Sequence, residues 1–288
     1  MLHLRWRRWR VLALAPALLW LGAVSVYPLA VIVLQALRPG TSRSIRLFEA
    51  ISDPHVVEAL GRTARLVAIV VPIQLLVGVA VGTQIGLLQR GRTVVLVLVA
   101  LPMFVPPIAI GLMWRFLLEP TRGPIASVSK SLFGLTVEGF STTTSAFRNL
   151  ALISIWQWSA FVAIVVAVAV ATTPRSLLDQ AFLDGLTPAA RFRNVIWPRI
   201  RESALILLLV QTLETIRTFD LVYVLTQGGP GTATELLSFL VFERAFQFND
   251  PAGAAGAVMM MWGISTTLMM VGLFVFRVRL SGRSTVYV

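Results

Sequence analysis

The chain has 288 residues, of which 57% are hydrophobic and only 13% charged, with a mean hydropathy of +0.81. An ordinary soluble domain carries about twice that charge fraction, so the composition excludes a soluble globular protein and points to a single integral membrane domain, residues 1–288. With no cysteine, disulfides and thiolate metal sites are excluded as well, and the net charge of +12 has to be judged by where the arginines fall.

In chain order, Arg5-Trp6-Arg7-Arg8-Trp9-Arg10 opens an apolar run over 11–37. The opening resembles a secretory signal, but the run is too long for one, so it reads as an uncleaved first span. Further apolar stretches cover 66–88, 94–118, 150–171, 204–226 and 254–276. Each can cross the roughly 30 Å hydrocarbon layer as a helix. Main-chain polar groups must be satisfied internally in lipid, which rules out open strands. The expectation is an all-α integral membrane protein with six transmembrane helices.

Several local features refine that picture. Gln89-Arg90-Gly91-Arg92-Thr93 reads as a tight basic turn between spans two and three. Pro102, Pro106 and Pro107 each remove a donor, which predicts a kinked third span. Gly228-Gly229-Pro230 demands a loop. The apolar segment 236–248 is too short to span and reads as an interfacial or partly inserted helix. Arg115 reads as a snorkelling anchor. Gly253, Gly256 and Gly263 would let another helix approach closely.

Fourteen arginines, from Arg5 to Arg283, lie on one side of the six-span topology against Asp179, Asp184 and Glu202. Nine cations face eight acids on the other side. Arginine bias marks the cytoplasmic face, so both termini are expected there. The basicity then reflects orientation and lipid headgroups, and nucleic acid is not an expected partner.

The loop 172–203 carries the most structure. Thr173-Pro174 fits an N-cap followed by proline at the first helical position. Leu178, Ala181, Phe182 and Gly185 recur at i, i+3, i+4 and i+7, giving a short helix with one apolar face, and Gly185 suits its end. Thr187-Pro188 opens a second short helix through Phe192, Val195 and Ile196, which Pro198 is expected to break. Two readings stand: a hairpin resting on lipid headgroups, or a docking knob for a soluble partner.

Asp179-Gln180-Ala181, Asp184-Gly185 and Pro198 resemble the cytoplasmic signature of bacterial ATP-binding-cassette importer permeases. In that signature Glu-Ala-Ala is followed by three residues, Gly, and a closing Leu-Pro. Asp replaces Glu here, Gln replaces Ala, and Trp197 precedes Pro198, with the spacing kept. The run from Arg217 through Asp220 and Tyr223 to Gly228-Gly229-Pro230 resembles the carbohydrate and polyol permeases of that family. So do Thr234-Glu235, Ala245-Phe246, Gly253-Ala254-Ala255, Tyr27-Pro28 and Trp156-Gln157-Trp158.

The resemblance implies a type I importer permease fold in the bacterial inner (cytoplasmic) membrane. A second permease subunit, a dimeric cytoplasmic ATPase and an extracytoplasmic solute-binding protein would be its partners, and a sugar or polyol its cargo. The loop would be the coupling helix, with Ala181 and Gly185 small for close approach and Phe182 on the apolar face. Asp179 and Asp184 would offer carboxylates, and Pro198 would close the motif. Lys130, the only lysine, follows Ser129, so the chain has no Gly-Lys phosphate loop. ATP and Mg would bind the partner ATPase; this chain is expected to be no enzyme, to hold no metal and to bind no cofactor.

Candidate residues of the solute path are Gln157, Trp158, Gln211, Glu214, Arg217, Asp220 and Tyr223. Gln211, Glu214, Arg217 and Asp220 are spaced by three along span five. Ionisable groups in a membrane usually face a cavity or a partner, so the stripe is either a polar wall or a self-neutralising set. Trp156, Trp158 and Phe161 offer ring faces to a sugar, or serve as interfacial anchors. A reading from another class is an ion-coupled secondary transporter using Glu214 and Asp220. Such carriers show inverted repeats, and none is visible here.

Overall fold

The structure, a computed structural model, describes residues 2–38 and 46–281; Arg43 and Arg283, counted among the flanking charges, lie outside them. The elements in order are α1 (Leu2–Leu37), α2 (Arg46–Ser52), α3 (Pro54–Leu87), α4 (Arg92–Phe104), α5 (Pro107–Leu117) and α6 (Pro124–Phe133). They continue with α7 (Thr143–Ala171), α8 (Arg175–Leu183), α9 (Pro188–Arg191), α10 (Trp197–Ile216), α11 (Asp220–Leu225), α12 (Leu237–Phe242) and α13 (Pro251–Ser281). The π-helical turns Phe192–Ile196 and Glu243–Gln247 follow α9 and α12. The described residues form no strand, in keeping with the all-α expectation.

Leu14–Leu37, α3, α7 and Pro251–Phe276 are each long and apolar enough to cross a membrane, and α4 with α5 makes a fifth candidate. That fifth is broken more sharply than a kink, since its two axes meet at 89°. Val105 is extended, at φ −82° and ψ 129°, as the residue before a proline tends to be. Pro106 and Pro107 then start a new helix.

The expected fifth span, 204–226, is not one helix. It divides into α10 and α11, with Arg217 to Phe219 irregular between them. No glycine or proline lies at the break. Instead the hydroxyl of Ser238 donates to the Thr218 carbonyl at 2.5 Å, and Phe219 stacks on Tyr223 and Phe239 with ring centroids 5.5 and 6.3 Å away. Irregular backbone survives at membrane depth only where such partners satisfy it. Nor is α10 uniformly apolar, since Arg199, Arg201, Glu202 and Glu214 lie along it.

Packing divides the chain into two units, residues 1–57 with 240–263, and residues 58–239 with 264–288. In the first, Arg244 reaches the Asp53 carboxylate at 2.5 Å, and the Arg244 carbonyl accepts from the Asp250 N–H at 2.9 Å. In the second, a core of Val162, Val166 and Val170 on α7 meets Ile196, Ile200 and Leu207. The segment expected at the membrane interface contributes Leu236, Leu237 and Phe239 to the protein's own interior. Their apolar character is spent on packing, not on lipid. Arg115, expected to snorkel, donates to the Val224 carbonyl at 2.9 Å and so holds the end of α11.

Candidate functional site

The loop between α7 and α10 is folded by its own main chain. Helix α8 ends in a complete Schellman turn: the Leu186 N–H donates to the Ala181 carbonyl at 3.1 Å and the Gly185 N–H to the Phe182 carbonyl at 3.0 Å. Gly185 has a φ of +71°, a conformation that only glycine takes without cost. Thr187 then caps α9, accepting from the Ala190 N–H at 3.3 Å, with Pro188 in the first turn as expected.

Two details of the loop differ from the sequence reading. Pro174, not Thr173, holds the position before α8, and the buried Thr173 hydroxyl has no partner among the described residues. Pro198 does not end a helix: the π turn Phe192–Ile196 leads straight into α10, with Pro198 in the first turn. Proline is tolerated there because a first-turn N–H needs no intrahelical acceptor.

The loop presents two faces. Leu178, Phe192 and Ile196 lie on the Val166–Val170–Ile200 core, and Ala181, 4% exposed, also turns into its own chain. Ala181 is therefore not a surface for close approach by a partner. The outward residues are Phe182 and Leu183, 67% and 83% exposed, flanked by the exposed Asp179 and Asp184. Arg191 lies over the Phe182 ring, 5.6 Å from its centroid, so even the exposed aromatic is positioned.

The candidate path residues are distributed unevenly. Gln211, 1% exposed, donates through Nε2 to the Trp158 carbonyl at 3.0 Å, so these two meet at an α7–α10 contact. Gln157 is equally buried, and its Oε1 has no partner among the described residues. Glu214 and Arg217 form an ion pair on the more open part of α10. Beyond the break, Asp220 and Tyr223 lie on α11, so the stripe read along one helix is interrupted after Arg217. Trp156, itself 40% exposed, meets Trp114 edge-on at 5.5 Å.

Residues 74–280 match the family described as binding-protein-dependent transport system inner membrane component. The chain belongs to this family. It is 27% identical to the sulfoquinovosyl glycerol transport system permease protein SmoG of Agrobacterium fabrum, over 96% of this chain and 95% of that one. It is 28% identical to the sn-glycerol-3-phosphate transport system permease protein UgpA of Yersinia pestis, over 86% and 81%. A crystal structure of a bacterial ABC transporter involved in the import of the acidic polysaccharide alginate superposes with a TM-score of 0.83 at 17% identity, covering 94% of this chain and 96% of that one. The fold is that of an ABC importer permease, and an ion-coupled carrier built on Glu214 and Asp220 is not favoured.

Two features of this permease were missed from sequence. Gly78, Gly82 and Gly86 recur every fourth residue on α3, and a Cβ at any of them would overlap α7, at Val162, at Ala163 and Val166, and at Val170. The small-residue groove that brings two helices together is here, and its four-residue period was visible in the sequence. Of the glycines expected in that role, a Cβ at Gly253 would meet the Asp250 carboxylate, and one at Gly263 would meet no atom of the described residues within 4 Å. The second is Arg62, which pairs with Glu58 at 2.8 Å and donates to the Glu235 carbonyl at 3.2 Å and the Thr232 hydroxyl at 2.9 Å. It ties α3 to the segment after the Gly-Gly-Pro loop, which nothing in the sequence foretold.

Proposed function

We propose that this permease is one of two membrane subunits of an ATP-driven importer for a sugar or polyol. A solute-binding protein delivers the cargo on the extracytoplasmic side, and a dimeric ATPase on the cytoplasmic side, holding ATP and Mg, drives the cycle. Both termini face the cytoplasm. Family membership supports this reading, as do relatives whose names concern a glycosyl glycerol and a glycerol phosphate.

The observation that carries the coupling assignment is the two-faced loop. Phe182 and Leu183 offer an apolar tip, with Asp179 and Asp184 as hydrogen-bond acceptors beside it. Leu178, Phe192 and Ile196 anchor the same loop to α7 and α10. A displacement of the tip by the ATPase is thus passed to those helices through packed side chains, which transmit movement because interiors are close-packed. The solute path runs along the polar face of α10, α11 and α7, with Glu214, Arg217, Asp220 and Tyr223 as its more open members.

Extraction in mild detergent tests the assembly. Wild type should be recovered with an ATPase and a second membrane chain, and Gly185→Pro should lose the ATPase while keeping the second membrane chain. A wild-type chain that comes out alone would sink the proposal.

A further inference from the structure

A cleft of about 510 Å³ opens between α3 and the start of α7, away from the coupling loop. Its polar wall holds Arg62, Arg65, Arg148, Thr143 and Thr144. Arg62 is neutralised by Glu58 at 2.8 Å and by Glu235 at 3.6 Å. Arg65 is held instead over the Phe147 ring, 4.8 Å from its centroid, which orients the guanidinium without cancelling its charge. Arg148 has no ion pair among the described residues.

The helix itself adds to this field. Thr142 caps the Ser145 N–H, leaving the N–H groups of Thr143 and Thr144 without an intrahelical acceptor at the positive end of a 29-residue helix. The Glu138 carboxylate accepts from the Thr142 hydroxyl at 3.0 Å and does not line the cleft. Two unneutralised guanidiniums, two hydroxyls and a helix start therefore share one cavity, and another part of its lining, with Ile69 and Ile73, is apolar.

We propose that this cleft is a binding site for an anionic group: a phosphate, sulfonate or carboxylate. Guanidinium forks suit such groups because they can donate two parallel hydrogen bonds to one anion. The inference rests on the importer reading for its natural occupant, an acidic sugar or polyol entering from the extracytoplasmic side. An anionic lipid headgroup offers the same chemistry, with its chains along Ile69 and Ile73.

The test uses the full chain in non-ionic detergent and follows its thermal unfolding with four probes: glycerol 3-phosphate, glycerol, phosphatidylglycerol and a neutral diacylglycerol. An anionic probe should raise the midpoint where its neutral counterpart does not, and high salt should weaken the effect. Arg65→Gln with Arg148→Gln should weaken apparent affinity about tenfold or more, Arg65→Lys with Arg148→Lys less, and Arg122→Gln, outside the cleft lining, not at all. A response to glycerol 3-phosphate identifies a solute site; a response to phosphatidylglycerol alone identifies a headgroup site, and either supports the anion site. If the glutamine pair does not fold, competition of inorganic phosphate with the responding probe on wild type decides instead. No anion response in wild type, or an equal one in the glutamine pair, overturns the proposal. Since no ATPase or uptake is needed, failure here is distinguishable from failure of the importer reading, which co-extraction tests.

Discussion

Gln211 donates to the main-chain oxygen of Trp158 at 3.0 Å, and so binds α10 to α7 through an oxygen that also belongs to the α7 hydrogen-bond ladder. The bond is occupied and part-buried, which separates Gln211 from its neighbour Gln157, whose Oε1 is buried without a donor among the described residues. Gln211→Leu keeps most of the volume and leaves the Trp158 carbonyl its helical partner. It should cost about 1 kcal/mol or less and leave the uptake KM unchanged. A raised KM with an unchanged unfolding midpoint would instead place the Gln211 amide against the solute.

Gln157 should behave in the opposite way. A buried acceptor without a donor is unfavourable by about 1–3 kcal/mol, so Gln157→Leu should raise the unfolding midpoint of the isolated chain. If the missing donor is a solute hydroxyl, the same variant lowers uptake. Measuring both on one preparation separates the two roles: a higher midpoint with normal uptake makes Gln157 a packing residue only.

The small-residue groove on α3 makes a prediction about assembly of the helices. At Gly82 an added Cβ meets the Ala163 carbonyl and Val166, so Gly82→Val must push α3 from α7. Overpacking of this kind costs about 1–3 kcal/mol. Gly61, on the same helix, has no atom within 4 Å of its would-be Cβ, and Gly61→Ala should be neutral or stabilising by up to about 1 kcal/mol. Equal unfolding midpoints for the two variants would contradict the close contact.

These positions also show what could be read from the chain. The apolar runs located the helices, since a membrane leaves few alternatives, and Gly185 located the turn because its backbone excludes most other residues. The break after Arg217 was hidden because distant groups make it: the Ser238 hydroxyl and the Phe239 ring. The orientation of α8 was hidden for a related reason. A repeat of Leu178, Ala181 and Phe182 defines a broad face, and only the Val166–Val170 ridge decides that Leu178 and Ala181 turn in while Phe182 turns out.

The Asp53–Arg244 pair gives the first unit a pH dependence. Burial raises the Asp53 carboxyl, but the hydrogen bonds from Arg244 and the His55 N–H outweigh it, and the net result is a carboxyl below its ordinary 3.8. A depressed acid stabilises the folded state above its unfolded pKa, and that contribution is lost as pH falls through the folded value. The difference in unfolding midpoint between wild type and Asp53→Asn should be constant above about pH 5 and shrink on acidification below that. A difference that grows as the pH falls would refute the sign.

Leu183 separates docking from folding. It is 83% exposed, and Leu183→Ala removes no contact of the core, so the unfolding midpoint should move by no more than about 0.5 kcal/mol equivalent. An apolar anchor seated in a partner pocket is worth about 2 kcal/mol or more, so retention of the ATPase in detergent should fall by about 30-fold. Gly185→Ala works from the other side: the exposed residues stay, but the +71° backbone is strained by about 1 kcal/mol. Its loss of ATPase should therefore be smaller than that of Leu183→Ala and accompanied by a lower unfolding midpoint. The reverse order would make the turn's conformation, not its apolar tip, the part that the ATPase recognises.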